Sequence, residues 1–393
     1  MAHLDYCRQR KLKVYAICLL MLVALFAFSG CNASNNTVNL ANGVQEPTHF
    51  MAKFLMVLND GVGNFGWTVV AFTVILKVIL SPFDFWQKHI TRKNAKIMAR
   101  MKPRLDDIKA KCGDDKARYN QEQMALYKKE KYSTFGACLP TLITLVVFIV
   151  VFSGFSQMVA YQNGLVYQNA QTTFNTTYAE KNDELYTAYY DDLSELEQAQ
   201  SEKIAEIEAL AHYNAIDLAQ TAVAENYEMP SFLWVNNIFV QDTWKNAVPD
   251  YQTFSGQSGF AQAKVEGVTI DEYQTVMGKV LGTGGYGSNG SWNGLLILPL
   301  LSIVLNFVSQ KLTMKAQGPQ PTAEGAGGMA SSKMMQYMMP VLMGVFALMY
   351  SAAFTTYIFV GAVYTIVFQL AYNLFASVVD KKKLSTVSSR RIN

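Results

Sequence analysis

The chain has 393 residues, 51% of them hydrophobic and 16% charged, with a formal net charge of +3. That balance excludes an ordinary soluble globular protein of this length. It is also poor ground for an enzyme: His49, His89 and His212 fall in different segments, and no Ser-His-Asp, zinc-ligand or paired-carboxylate spacing occurs. No cofactor or metal is expected.

In chain order, Arg8, Arg10, Lys11 and Lys13 precede a short apolar run from Val14 to Phe28, followed by Ser29-Gly30-Cys31. A basic start, a short apolar region and small residues before a cut predict a secretory signal over 1–30. The small-small-Cys ending resembles a bacterial lipobox, which makes Cys31 the expected lipidation site; Phe28 departs from the usual Leu, Val or Ile. The alternative is an uncleaved anchor. With Cys7 and Cys18 in the signal and Cys31 acylated, only Cys112 and Cys138 remain, and no disulfide framework is expected.

Five apolar stretches approach the thickness of a bilayer, at 62–82, 136–159, 292–311, 335–352 and 354–378. The segments between them sort by charge. Residues 83–135 carry 14 Lys/Arg against 7 acids, whereas 160–291 carry 5 Lys against 18 acids. The linker 312–334 and the tail 379–393 are basic as well. The positive-inside rule then places 83–135, 312–334 and the tail in the cytosol, and 31–61 and 160–291 outside. The fold class this predicts is an all-α polytopic membrane protein with a five-helix transmembrane core, a cytosolic helical hairpin and an enlarged extracytoplasmic helical insertion. The hairpin should break at Cys112-Gly113-Asp114-Asp115, where Gly suits a turn and Asp a helix cap. In the insertion, Tyr178–Glu228 should be helical, with Leu185, Leu193, Leu196, Ile204, Ile207 and Leu210 as its apolar stripe. "GTGGYGSNG" at 282–290 reads as a flexible linker, not a phosphate loop.

Polar residues recur inside the apolar runs at helical spacing. Thr73, Lys77 and Ser81 share one face of the first, and Ser302, Asn306 and Gln310 one face of the third. Thr144 lies in the second and Tyr357 in the fifth. Two readings stand at this point. The stripes can face one another and line a shared polar space, which avoids exposing them to lipid. Alternatively, Lys77, about five residues or ~7.5 Å from Pro82, can snorkel to the cytosolic surface while the hydroxyls bond to backbone.

The ordered motifs resemble the YidC-type membrane protein insertases. "LKVILSP" (76–82) stands where that family has an Arg five residues before the Pro; here the cation is Lys77. "FGACLPTLI" (135–143) resembles the opening of its second core helix, "SFLWVNNI" (231–238) its outward-facing interfacial segment, and "ILPLLSIVLNFVSQKL" (297–312) and "MMQYMMPVLMGVF" (334–346) its third and fourth helices. Thr144 replaces a frequent Gln, Ser351 a Pro, and Gly361-Ala362 a Ser-Asn pair.

The resemblance implies a groove open to cytosol and lipid and closed outside. Lys77, Thr73, Ser81, Thr144, Ser302, Asn306, Gln310 and Tyr357 would be its substrate-contacting residues. The implied partners are nascent membrane proteins, the ribosome, membrane lipid and, where it does not act alone, the Sec translocon and targeting machinery; DNA is not among them. The implied location is a bacterial plasma membrane, with the mature N-terminus outside and the C-terminus in the cytosol. Two rivals stand beside it: a small-solute transporter or channel built on the same polar faces, and a lipoprotein scaffold acting through 160–291.

Overall fold

The computed structural model describes residues 37–113, 115–132, 135–256, 264–282, 292–317 and 333–392. Cys31 and the linker at 283–290 fall outside them, as do the side chains of 135–145, 316–317, 333–339 and 380–392. The protein is all-α apart from one short strand pair. In order, the elements are β1 (Thr37–Asn39), α1 (Phe50–Val62), α2 (Phe65–Cys112), α3 (Lys116–Lys129), α4 (Phe135–Asp191), α5 (Glu195–Gln198), α6 (Ser201–Asn226), α7 (Tyr251–Phe254), β2 (Lys264–Glu266), α8 (Ile270–Leu281), α9 (Ile297–Gln317), α10 (Lys333–Met349) and α11 (Ala352–Ile392). Among the described residues four helices, α2, α4, α9 and α11, are long and apolar enough to cross a membrane. The remaining expected span falls on α10, whose apolar described part, Pro340–Met349, is shorter.

The helices bundle around an aromatic centre. Phe152 of α4 stacks edge-on to Tyr350 (4.8 Å) and Phe354 (5.3 Å), and Phe155 meets Phe72 of α2 (5.8 Å) and Tyr357 of α11 (5.7 Å). Such tilted and edge-on pairs each add a little beyond their buried area. Helix α1 lies against α4 at Gly154, where an added Cβ would come within 2.5 Å of Met51 Cβ. His49 starts α1: its Nδ1 accepts from Met51 N (3.2 Å) while its own N–H donates to Gln157 Oε1 of α4 (2.7 Å). Burial lowers the imidazole pKa, which favours the neutral acceptor form this cap requires.

Helix α2 runs unbroken for 48 residues through Pro82 and Pro103. Pro82 has no N–H for the carbonyl four residues back. The Ser81 hydroxyl takes that place, donating to Val78 O at 2.8 Å. Helix α2 turns at Gly113 (φ 55), and Asp115 caps α3 by accepting from Arg118 N. The two arms pack through Ile97, Met98, Met101, Leu105, Leu126 and Tyr127, with Arg104 paired to Glu130 at 2.7 Å.

Helix α4 is likewise continuous, so the second apolar run and the first arm of the outer insertion are one 57-residue rod. Its outer half pairs with α6, and α8 packs on both. The apolar stripe differs from the expected one. Ile207 is buried, but Leu196 is 80% and Leu210 48% exposed, and the seam is Ala211, Ala215, Ala219 and Val223. Small residues every fourth position let two helices approach closely, which bulky leucines at the same positions would prevent. The module has its own core of Tyr167, Phe174, Tyr227, Phe254, Tyr273 and Met277. The parallel pair β1–β2, in register Val38 to Val265, ties the described N-terminal strand to it.

Candidate functional site

Lys77 is half-buried on the face of α2 that meets α11. Its stem lies along the α11 backbone: a Cβ placed on Gly361 would be 3.5 Å from Lys77 Cε, an ordinary contact. The two helices run parallel. Phe85 therefore meets Tyr372 (5.4 Å) and Phe375 (5.6 Å) further along the same seam.

The charged stripe continues beyond the residues expected from sequence. Asp84 and Lys88 follow Lys77 by seven and eleven positions, which keeps all three on one helical face. Asp84 interacts electrostatically with both lysines. Lys88 Nζ donates to Gln369 Oε1 of α11 and sits 5.7 Å from the centroid of the Phe368 ring. Gln369, 2% exposed, passes its own N–H to Asn373 Oδ1 at 2.9 Å. An amide oxygen and a π face are the neutral partners that hold an ammonium in apolar surroundings. Spacing alone could have found Asp84 and Lys88, since they extend the Thr73–Lys77–Ser81 face past Pro82.

The other expected site residues are placed differently. Thr73 is fully buried and donates to Val69 O (2.7 Å). Its hydroxyl and that of Ser81 are thus committed to their own helix, and of the three Lys77 is the one whose side chain lies against Gly361 of α11. Tyr357 joins the aromatic centre, stacked with Phe354 at 5.8 Å, one turn before Gly361. Ser302, Asn306 and Gln310 form a row on α9, which packs on α10 and α11 and touches α2. Asn306 Nδ2 donates to Ser302 O (2.8 Å), and the Ser302 hydroxyl is buried with no partner among the described residues. The Thr144 side chain lies outside the described ones.

At the end of the bundle where α2, α9 and α11 begin, the irregular segment 230–249 satisfies helix ends that would otherwise be orphaned. Asp242 accepts from Leu296 N (3.0 Å) and Leu298 N (2.9 Å) at the start of α9. The carbonyls of Val240 and Ile238 accept from Ala352 N and Ala353 N at the start of α11, both at 2.8 Å. Gln241 Nε2 donates to Met349 O, the last carbonyl of α10 (2.6 Å). Asn293 locks the segment to itself, donating to Asn237 O (2.9 Å) and Gln241 O (2.7 Å). Phe232 then plugs the start of α2 at Gly66, where a Cβ would be 2.0 Å from the ring. Only glycine admits that ring.

What such a site can do follows from its chemistry. Among the described residues no group of three or more His, Cys, Asp or Glu could hold a metal. A cationic stripe against low-dielectric walls instead concentrates anionic or polar groups by charge.

The sequence profile described as "60Kd inner membrane protein" matches residues 57–378. The chain belongs to that family. Similar stretches occur in three curated relatives, each named a membrane protein insertase YidC. The chain is 42% identical over 101 residues to that of Dechloromonas aromatica (strain RCB), a stretch covering 25% of this chain and 17% of the relative. It is 40% identical over 98 residues to that of Bordetella avium (strain 197N), covering 24% and 16%. It is 33% identical over 138 residues to that of Neisseria gonorrhoeae (strain NCCP11945), covering 32% and 24%. The matched stretches thus span less than a quarter of each relative's length. Family membership and four apolar helices of spanning length make this a multi-pass membrane protein.

Proposed function

We propose that this protein is a membrane protein insertase that receives nascent membrane proteins in a hydrophilic groove between α2 and α11. The observation that carries the reading is Lys77 laid against α11 in a bundle whose helix ends are capped by 230–249. A polar segment that is to be moved outward rests at Lys77 while the adjoining apolar segment passes into lipid. No covalent chemistry is needed. Burial of the apolar segment drives the step, and the membrane potential adds about 2.3 kcal/mol per charge per 100 mV.

On this reading the start of α2 faces outward and the α2–α3 hairpin and the end of α11 face the cytosol. There the 14 Lys/Arg of 83–135 are available to the ribosome. The protein works alone or beside the Sec translocon, and assists folding as well as insertion. Support comes from the family, from the charge asymmetry of the loops and from the place of Lys77. The test is reconstitution of the purified protein into liposomes with a small single-span client. Protease-protected insertion without flux of small solutes is the expected result; solute flux without insertion would establish the transporter reading instead.

A further inference from the structure

Asp84 stands just past Pro82, at the end of the first apolar run, and no other acid occurs in 65–105 of the same helix. It lies half-buried on the same α2 face as Lys77, two turns away, and its electrostatic partners are Lys77 and Lys88. Those two cations are not equivalent. Lys88 already has Gln369 Oε1 and the Phe368 ring, both from α11. Lys77 has the bare backbone of Gly361 beside its stem, and Asp84 is the acid that interacts with it.

We propose that Asp84 is a specificity-determining residue of the groove: a resident counter-ion that an acidic client segment must outcompete for Lys77. The inference rests on the insertase reading and adds to it. Without Asp84 the stripe would be two uncompensated cations and would take up any acidic segment. With it, Lys77 is already partly neutralised. A client carrying one weakly placed acid gains little by displacing an intramolecular partner, whereas neutral polar segments meet a site of lower net charge. The carboxylate therefore sets how strongly the groove favours acidic over neutral translocated segments. On this proposal it is a selectivity device and not an insertion engine.

The test uses the full-length protein in liposomes and two client siblings that differ only in an acidic or a neutral translocated segment. The quantity read is the ratio of their insertion yields. Asp84→Asn should raise the acidic-to-neutral ratio by up to about fivefold, the range of a modest ion-pair difference, and Asp84→Glu should restore it to the wild-type value. Lys77→Ala should lower the ratio, which checks the groove reading separately. An unchanged or reduced ratio in Asp84→Asn, with Lys77→Ala still lowering it, overturns the role of Asp84 alone. If neither variant moves the ratio, both the groove reading and this one fail. A purely structural Asp84 would depress both clients together and leave the ratio fixed, which also overturns the proposal. Asp84→Ser provides a second uncharged variant should the Asn protein fail to accumulate.

Discussion

The inner bundle and the outer module are built from one continuous helix, α4, yet they are organised in opposite senses. In the bundle, large apolar side chains such as Val78, Ile79, Val304, Val367 and Leu374 stand exposed, while Thr73, Ser302, Thr355 and Gln369 are buried. In the outer module Tyr167, Tyr273 and Met277 are buried, and the acids of α5 and α6 lie at the surface. The first arrangement suits lipid as solvent and the second suits water. A helix can pass from one to the other without a break because its backbone bonds are satisfied internally in both media. The difference teaches that the change of solvent is written in side chains and not in secondary structure.

The comparison can be broken first at the outer core. Tyr273 is 1% exposed, with its hydroxyl donating to Pro249 O at 2.7 Å. Tyr273→Ala should cost the module about 3–5 kcal/mol. Hydrogen exchange should then rise in α6 and α8 but not in α9 or α11; a rise across the bundle would mean that the two regions do not fold separately. A smaller effect is expected at the joint. Asp242→Ala leaves Leu296 N and Leu298 N without their acceptor and should cost about 2–3 kcal/mol. Asp242→Asn should cost roughly half as much, since one carbonyl oxygen remains. Exchange at the start of α9 is the readout, and equal values for the two variants would contradict the capping role.

A still smaller, pH-dependent effect is expected at α1. The folded-state pKa of His49 is lowered by burial, so the unfolded chain binds its proton first as pH falls. The contribution of this cap is present above the ordinary histidine pKa and is lost as pH falls towards and through the depressed one. The protection factor of the Met51 amide, taken relative to the intrinsic exchange rate at each pH, should therefore fall between pH 7 and pH 5. His49→Asn, which caps without titrating in that range, should remove the dependence; if it persists, another group is responsible.

Much of this was legible in the sequence, and the limits are physical. Runs of apolar residues identified the bundle helices, and Gly113 with Asp115 marked the hairpin turn because turn and cap are local events. The continuity of α4 past residue 159 was not legible, because hydropathy falls there while helix formation needs no apolar residue. The seam of α6 was misread for a related reason: leucines dominate a count of apolar residues, but Ala211, Ala215 and Ala219 make the close contact. Asp242 and Asn293 gave no signal at all, since their partners are backbone groups up to 56 residues away. At the site, Lys77 stood out by its charge. Asp84 and Lys88 share that face but lie past Pro82, where the apolar run ends, and Ser81 carries the helix across. Gln369 became meaningful only when α11 was seen beside α2.

The central claim is that the charge of Lys77, held against α11, receives the polar part of an incoming chain. Its most direct test is insertion of a client with an acidic translocated segment by wild-type, Lys77→Arg, Lys77→Ala and Lys77→Glu proteins reconstituted at equal density. The account predicts that Arg retains insertion, Ala reduces it roughly tenfold, as expected for about 1.4 kcal/mol of lost charge-assisted binding, and Glu reduces it further. Equal insertion by the Lys and Ala proteins would contradict it and leave Lys77 as a lysine that merely snorkels.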